Sequence, residues 1–400
     1  MLVLAGIGVG AFFGVRELTD DDDAAPAPPV AVEREDEAKA PEELGFPAFA
    51  TKNTTRVGGS DAVANAAGVA LAAYPSTGGV DGPAAVTLVP STDWPTALAA
   101  SVLTADPVRA PVLISDGDEV PDQTATAIDA LRPEGSADTS DAEAFRIGDV
   151  EAPDGTRTIE VPAAEPAEMA AAVDRLRERL TDRDPRNIVV VSTEDPGFAM
   201  PAAAWSARSG DPVLLVERDR VPEATTEALE RHKRTPVFLL GPESVASEKV
   251  ARELEKTATA VQRVSAEDPV ANAIEFARFD AGTFGWNVAD PGHGLVIANA
   301  SRPLDAAAAA PLSAAGKWGP LLVTDEADSV PAPLRGYLLD IKPGYRSDPT
   351  RAFYNHAWLI GNNSALSVAF QAQVDELLEL VRIQPPPGTP QTGQPEREPR

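Results

Sequence analysis

At 400 residues the chain is longer than one ordinary hydrophobic core covers, so two to four domains are expected. Its 34 basic and 62 acidic residues leave a formal net charge of −28, which argues against nucleic acid as a partner, since that binding works by neutralising a row of phosphates. Cysteine is absent, so disulfides, thiolate nucleophiles and cysteine-ligated metals are excluded as well.

The chain opens with MLVLAGIGVGAFFGV, apolar and uncharged, followed by Arg16 and four aspartates at 20–23. This run is shorter than the about 20 residues of a spanning helix and has neither a basic leader nor a small-x-small cleavage site. Residues 1–18 therefore read first as an uncleaved membrane anchor, with a cleaved signal or a buried helix as the alternatives. Residues 19–50 are acidic and rich in Pro and Ala, the composition of an extended extracytoplasmic linker. The aspartate run lacks the Gly and Glu of a calcium loop. At the far end, 384–400 is a proline-rich tail of disordered, partly polyproline II character.

Between linker and tail the chain repeats itself. RVGGSDAVANA from Arg56 returns as RVSAEDPVANA from Arg263, and EVPAAEPAEMA from Glu160 is a degenerate middle copy. Each head precedes a β-branched run, AVTLVP, NIVVVS or GLVIAN, with the character of a buried strand. Next come polar, Pro-containing turns and alanine-rich helices entered through capping residues. Second strands follow in APVLI, DPVLL and GPLLV, then helices after Pro121, Pro222 and Pro331. Third strands stop at Gly148, Gly241 and Gly361, and amphipathic helices SEKVARELEKT and SVAFQAQVDELLEL follow in the second and third copies. The pattern predicts three α/β modules with small, mostly parallel sheets, over 51–156, 157–260 and 261–383.

These residues resemble the bacterial cell wall binding repeat 2 family. Arg56, Val57, Gly58, Gly59, Asp61 and Ala66, with Arg263, Val264, Asp268 and Ala273, match its heading pattern. WPTALAA, MPAAA and PLDAAAA resemble its alanine-rich element, and APVLI, DPVLL and GPLLV its second strand. The chain departs from the family at Ala62-Val63 and Pro269-Val270, where the pattern has Arg-Tyr, and in the single glycine of the last strand. The resemblance covers 51–383 and implies three pseudo-symmetric modules packed as an intramolecular trimer, holding an anionic cell wall or surface polymer at a Gram-positive envelope.

In parallel α/β sheets ligands lie beyond the carboxyl ends of the strands. That rule selects the loops 90–95, 192–197 and 299–303. Ser91, Thr92, Asp93, Thr193, Asn299, Ser301 and Arg302 there offer hydrogen bonds to sugars, and Trp94 offers a face for a pyranose. The same side chains have structural alternatives: Thr92, Asp93, Thr193 and Ser301 as helix caps, Trp94 as packing between modules. Arg56 and Arg263 either face an anionic polymer across a module boundary or form surface ion pairs.

No catalytic constellation emerges. His232, His293 and His356 fall at different places in the repeat, and no phosphate loop, paired metal histidines or nucleophile elbow is present. The sequence thus predicts a non-enzymatic, extracytoplasmic envelope protein without cofactor or metal, membrane-attached through residues 1–18, that binds cell wall or surface polysaccharide. An extracytoplasmic solute-binding or sensing protein, and a scaffold that has lost ligand binding, are the alternatives.

Overall fold

A computed structural model of the protein describes residues 47–383 apart from 76–81, 118 and 315–318. The first module runs β1 (Pro47–Ala50), β2 (Thr54–Val57), α1 (Ala62–Ala73), β3 (Val86–Pro90), α2 (Trp94–Ala100), β4 (Val112–Ser115), α3 (Asp122–Leu131) and β5 (Ala144–Ile147). The second continues with β6 (Thr158–Val161), α4 (Pro166–Thr181), β7 (Ile188–Ser192), α5 (Pro196–Ala199), α6 (Pro201–Ser209), β8 (Val213–Val216), α7 (Glu223–Arg231), β9 (Val237–Leu240) and α8 (Glu248–Leu254). The third comprises β10 (Val261–Val264), α9 (Pro269–Arg278), β11 (Gly294–Asn299), α10 (Leu304–Ala314), β12 (Leu321–Thr324), α11 (Ala332–Asp340), β13 (Gly344–Tyr345), β14 (His356–Ile360), α12 (Val368–Leu377) and β15 (Val381–Arg382). The proposed anchor and tail lie outside the described residues. So does most of the linker, whose end at 47–50 is the strand β1. Among the described residues no helix is long and apolar enough to cross a membrane.

The strands form where β-branched and leucine runs can be buried on both faces. Every residue of β7, β8 and β9 is buried, which suits strands of a parallel sheet covered by helices. Several helices begin where a side chain accepts an amide proton, whereas α3, α4, α7 and α11 follow Pro121, Glu165, Pro222 and Pro331 without a side-chain cap. Asp61 caps α1 through Ala64 N, Asp93 caps α2 through Thr96 N, and Asp268 caps α9 through Ala271 N. The conserved spacing of the heads is therefore partly a helix-start signal.

Besides the short parallel pair β13–β15 within the third module, three larger parallel ladders result, and none of these is confined to one module. Their orders are β4-β3-β5-β6, β8-β7-β9-β10 and β12-β11-β14-β2, with β1 added antiparallel at the edge of the third. The head strand of each module is thus hydrogen-bonded into the sheet of the preceding one, and the first head closes the cycle on the last sheet. The register is the same throughout: Ile147 faces Val161, Leu240 faces Val264 and Ile360 faces Val57.

At the end of each receiving strand the glycine is required. Gly148, Gly241 and Gly361 have φ of +93°, +107° and +104°, and their N–H groups donate to Val161, Val264 and Val57 carbonyls at 2.9, 2.9 and 2.8 Å. The alanine-rich helices α2, α6 and α10 contact one another pairwise, small side chains permitting close approach. A hydrophobic cluster that includes Val57, Leu98, Met200, Leu240, Leu312 and Ile360 draws on all three modules.

Candidate functional site

Each module head packs its helix against the alanine-rich element of the preceding module: α1 on α10, α4 on α2, and α9 on α5. At the first of these junctions lies a recess of about 440 Å³ lined by Ser60, Asp61, Ser91, Thr92, Trp94 and Arg302, with Pro303, Leu304 and Asp305 beneath. Four of the residues singled out in the sequence, Ser91, Thr92, Trp94 and Arg302, are brought together here from two different sheets. Trp94 opens α2 and is half-buried, one part packed against the central cluster and one part lining the recess. Trp94 thus packs between modules, as one reading expected, and leaves part of its ring on the recess wall.

A second recess of about 430 Å³ adjoins the first, with Thr92 common to both walls. It lies at the carboxyl ends of β3, β4 and β5 and is acidic, lined by Asp93, Asp116 and Asp149 beside Gly117, Gly148 and Met169. Ser91 is oriented by Asp116, whose Oδ1 accepts from Ser91 Oγ at 2.6 Å. Asp93 is divided between the α2 cap and Thr96 Oγ1 at 2.6 Å.

The floor of the first recess is charged. Asp305 is fully buried, and its Oδ1 accepts from Asn65 Nδ2 at 2.9 Å. Its Oδ2 lies 2.8 Å from Arg302 Nε, an ion pair whose geometry is too bent for a good hydrogen bond. Burial pushes the Asp305 carboxyl above the usual carboxylate range, more than Arg302 and Asn65 pull it down, and Asp61 adds to the rise. Asp305 escaped the sequence reading; its signal was a lone carboxylate inside PLDAAAA, an otherwise apolar helix.

The other candidates serve the backbone. Asn299 Nδ2 donates to Ala365 O at 2.9 Å while its Oδ1 accepts from Ser301 N and Oγ. Thr193 Oγ1 donates to Val216 O at 3.5 Å, beside the main-chain Thr193 N bond to the same oxygen at 3.0 Å. Neither the polymer-facing nor the surface ion-pair reading of Arg56 holds, because the residue is only 2% exposed. Its Nε donates to Gln371 Oε1 and its Nη1 to Gly361 O, both at 2.8 Å, with Asn362 O and Ser367 O further out. Arg263 repeats this on β10 in a more open setting, donating to Gly241 O at 2.9 Å and pairing with Glu248.

The middle head, which lacks the arginine, exchanges the charges across the ladder. Glu160 takes the Arg position on β6, and its strand partner Arg146 donates to Glu160 at 2.6 Å and to Val150 O at 2.6 Å. A guanidinium thus serves the turn after β5 too, supplied from the neighbouring strand.

The histidines lie elsewhere. His232 is buried against Asp174 at 2.8 Å, His293 pairs with Asp290, and His356 Nε2 contacts Thr55 Oγ1. Among the described residues no group of three His, Cys, Asp or Glu side chains is placed to hold a metal ion. What the two recesses offer is hydroxyl and carboxylate groups, one guanidinium and one aromatic face.

Comparison of the sequence with protein-family models and with curated proteins gives no match. Among solved structures, Cwp6 from Clostridium difficile is similar with a TM-score of 0.65 at 16% identity, over 82% of this chain and 48% of its own. Cwp8 from the same organism gives 0.62 at 16% identity, over 82% of this chain and 52% of its own. The chain spans about half the length of either protein, and the likeness is one of fold.

Proposed function

We propose that the protein is a non-catalytic component of a cell envelope whose three modules form a pseudo-threefold unit that holds a cell wall or surface polysaccharide. The observation that carries this reading is the pair of adjoining recesses sharing Thr92. Two shallow sites in line suit an extended chain of sugars better than the single deep cleft of a solute-binding protein. Their chemistry suits hydroxyl-rich groups: Asp61, Asp93, Asp116 and Asp149 accept hydrogen bonds, Arg302 donates, and Trp94 offers an apolar face. The acidic walls favour a neutral polysaccharide at this position over the anionic polymer that the family resemblance implies. The shared fold with Cwp6 and Cwp8, which are cell wall proteins, supports the envelope location.

Retention of the full chain on purified envelope polysaccharide, at low and at high salt, tests the proposal. The wild type is retained at both, because neutral sugar contacts are not screened, and Trp94→Ala lowers retention at least tenfold. Absence of retention at both salt concentrations refutes polysaccharide binding. Retention unaffected by Trp94→Ala and Arg302→Gln refutes its assignment to these recesses.

A further inference from the structure

A third recess, about 440 Å³, opens at the amino ends of β7 and β8, away from the loops described above. In a chain of net charge −28 its lining is unusual: Arg177, Arg183, Arg186 and Arg208 converge on it. Three carboxylates share the wall, but two are committed. Asp106 pairs with Arg109, and Asp211 is buried, accepting from Asn187 N, Asn187 Nδ2 and Trp205 Nε1, each at 3.0 Å. Asp184 remains against four guanidinium groups.

The deepest of the four is built into the protein. Arg177 is 4% exposed; its Nη1 donates to Arg183 O at 3.1 Å and its Nη2 is held by Asp174 Oδ1 at 3.4 Å, while its Nε has no hydrogen-bond partner among the described residues. Asp174 is itself shared, its Oδ2 bound by Arg231 Nη2 and His232 Nε2 at 2.8 Å each, so it positions Arg177 without neutralising it alone. Arg183, Arg186 and Arg208 are exposed and their side chains have no ion pair or hydrogen bond among the described residues. The carboxyl ends of α4 and α6 account for a cation each through their dipoles, beside Arg183 and Arg208. They do not account for Arg186 in the loop before β7, nor for the unpartnered Nε of buried Arg177.

We propose that this recess binds a tetrahedral oxyanion, phosphate or sulfate, free or as an ester, held between buried Arg177 and the exposed Arg183, Arg186 and Arg208. The planar donor fork of guanidinium matches two oxygens of such a group, which is the geometry that favours arginine over lysine for this task. The volume admits the anion together with the sugar or glycerol unit of an ester. The site is independent of the recesses around Thr92, where carboxylates predominate.

Calorimetric titration of the full chain with inorganic phosphate, and separately with glycerol 3-phosphate, tests the assignment against sodium chloride at equal ionic strength. Saturable binding is expected, weakened at least tenfold in Arg183→Gln/Arg186→Gln and further by adding Arg208→Gln. It should also weaken as sodium chloride rises. These exposed substitutions leave folding intact, so the result does not depend on Arg177→Gln, which removes a buried group. Tighter binding of inorganic phosphate assigns the site to the free anion, and tighter binding of glycerol 3-phosphate assigns it to an ester. No saturable binding of either, or equal binding by wild type and variants, overturns the proposal.

Discussion

The guanidinium of Arg56 donates to the carbonyl oxygen of Gly361 at 2.8 Å across 305 positions of the chain. The contact joins the first head strand to the last sheet, where Arg56 lies opposite Leu359 in the parallel ladder. It closes the cycle of strand exchange that the other two heads make with neighbours nearer in sequence.

Substitution of Arg56 should therefore be among the costliest polar changes in the protein. Arg56→Leu leaves several buried carbonyl groups and Gln371 without their donor, a loss of about 3 kcal/mol. Arg263→Leu, on a strand where the same guanidinium is partly solvated, should cost about 1 kcal/mol. Urea denaturation of the two variants gives the comparison. Equal losses would show that the buried setting of Arg56 adds nothing to the common contact with the strand-end glycine.

A strand-end glycine and a helix glycine make a second, opposite pair. Gly241 combines φ of +107° with Val245 Cγ2 at 2.7 Å from any added Cβ, so Gly241→Ala should destabilise by about 2 kcal/mol. Gly336, exposed within α11, has nothing within 4 Å of an added Cβ. Gly336→Ala should stabilise by about 0.5–1 kcal/mol through helix propensity and the restricted unfolded chain. Thermal denaturation of both variants decides whether conformation, and not glycine as such, is what the strand ends need.

The elements legible in the sequence were those fixed by local chemistry. Buried β-branched runs such as NIVVVS marked the strands, Asp93 marked a helix start, and Gly148, Gly241 and Gly361 marked strand ends. The destination of each head strand was not legible, because a parallel pairing such as that of Val57 with Ile360 leaves no local trace. For the same reason Arg56 read as a surface residue. At the site, Ser91, Thr92, Trp94 and Arg302 were found through the rule that strand carboxyl ends carry ligands. Asn299 and Thr193 obey the same rule yet hydrogen-bond to backbone carbonyls or amides, a distinction that depends on which chain segment passes beside them.

The exchanged charges of the middle head allow a compensation test. Glu160→Arg alone places a second guanidinium beside Arg146, with repulsion in place of the 2.6 Å ion pair. Adding Arg146→Leu recreates the Arg-opposite-Leu arrangement of the other two ladders, at Arg56 and Leu359 and at Arg263 and Leu239. The double variant should be more stable than Glu160→Arg, and a double-mutant cycle measures the coupling. A double variant less stable than the sum of its parts would mean that the three ladders are not interchangeable at this position.

Acid titration should separate the two buried aspartates by sign. Burial raises Asp305 above its unfolded pKa of about 3.9, so the folded protein holds this proton more tightly than the unfolded chain. Its contribution is therefore most favourable below about pH 4 and is lost as pH rises through the raised folded value. Asp174 is lowered: although burial opposes ionisation, hydrogen bonding and charge from His232, with Arg177 and Arg231, prevail together. Its contribution is present above about pH 4 and is lost as pH falls through the lowered folded value. Urea denaturation of wild type, Asp305→Asn and Asp174→Asn between pH 3 and pH 6 should give stability differences that change with pH in opposite directions. Asp305→Asn improves relative to wild type as pH rises, since it removes the carboxylate whose ionisation burial opposes, while its side-chain oxygen still accepts from Asn65. Asp174→Asn worsens over the same range. Slopes of the same sign for the two variants would mean that the Arg302 ion pair outweighs burial at Asp305, and that the floor of the recess is a settled ion pair.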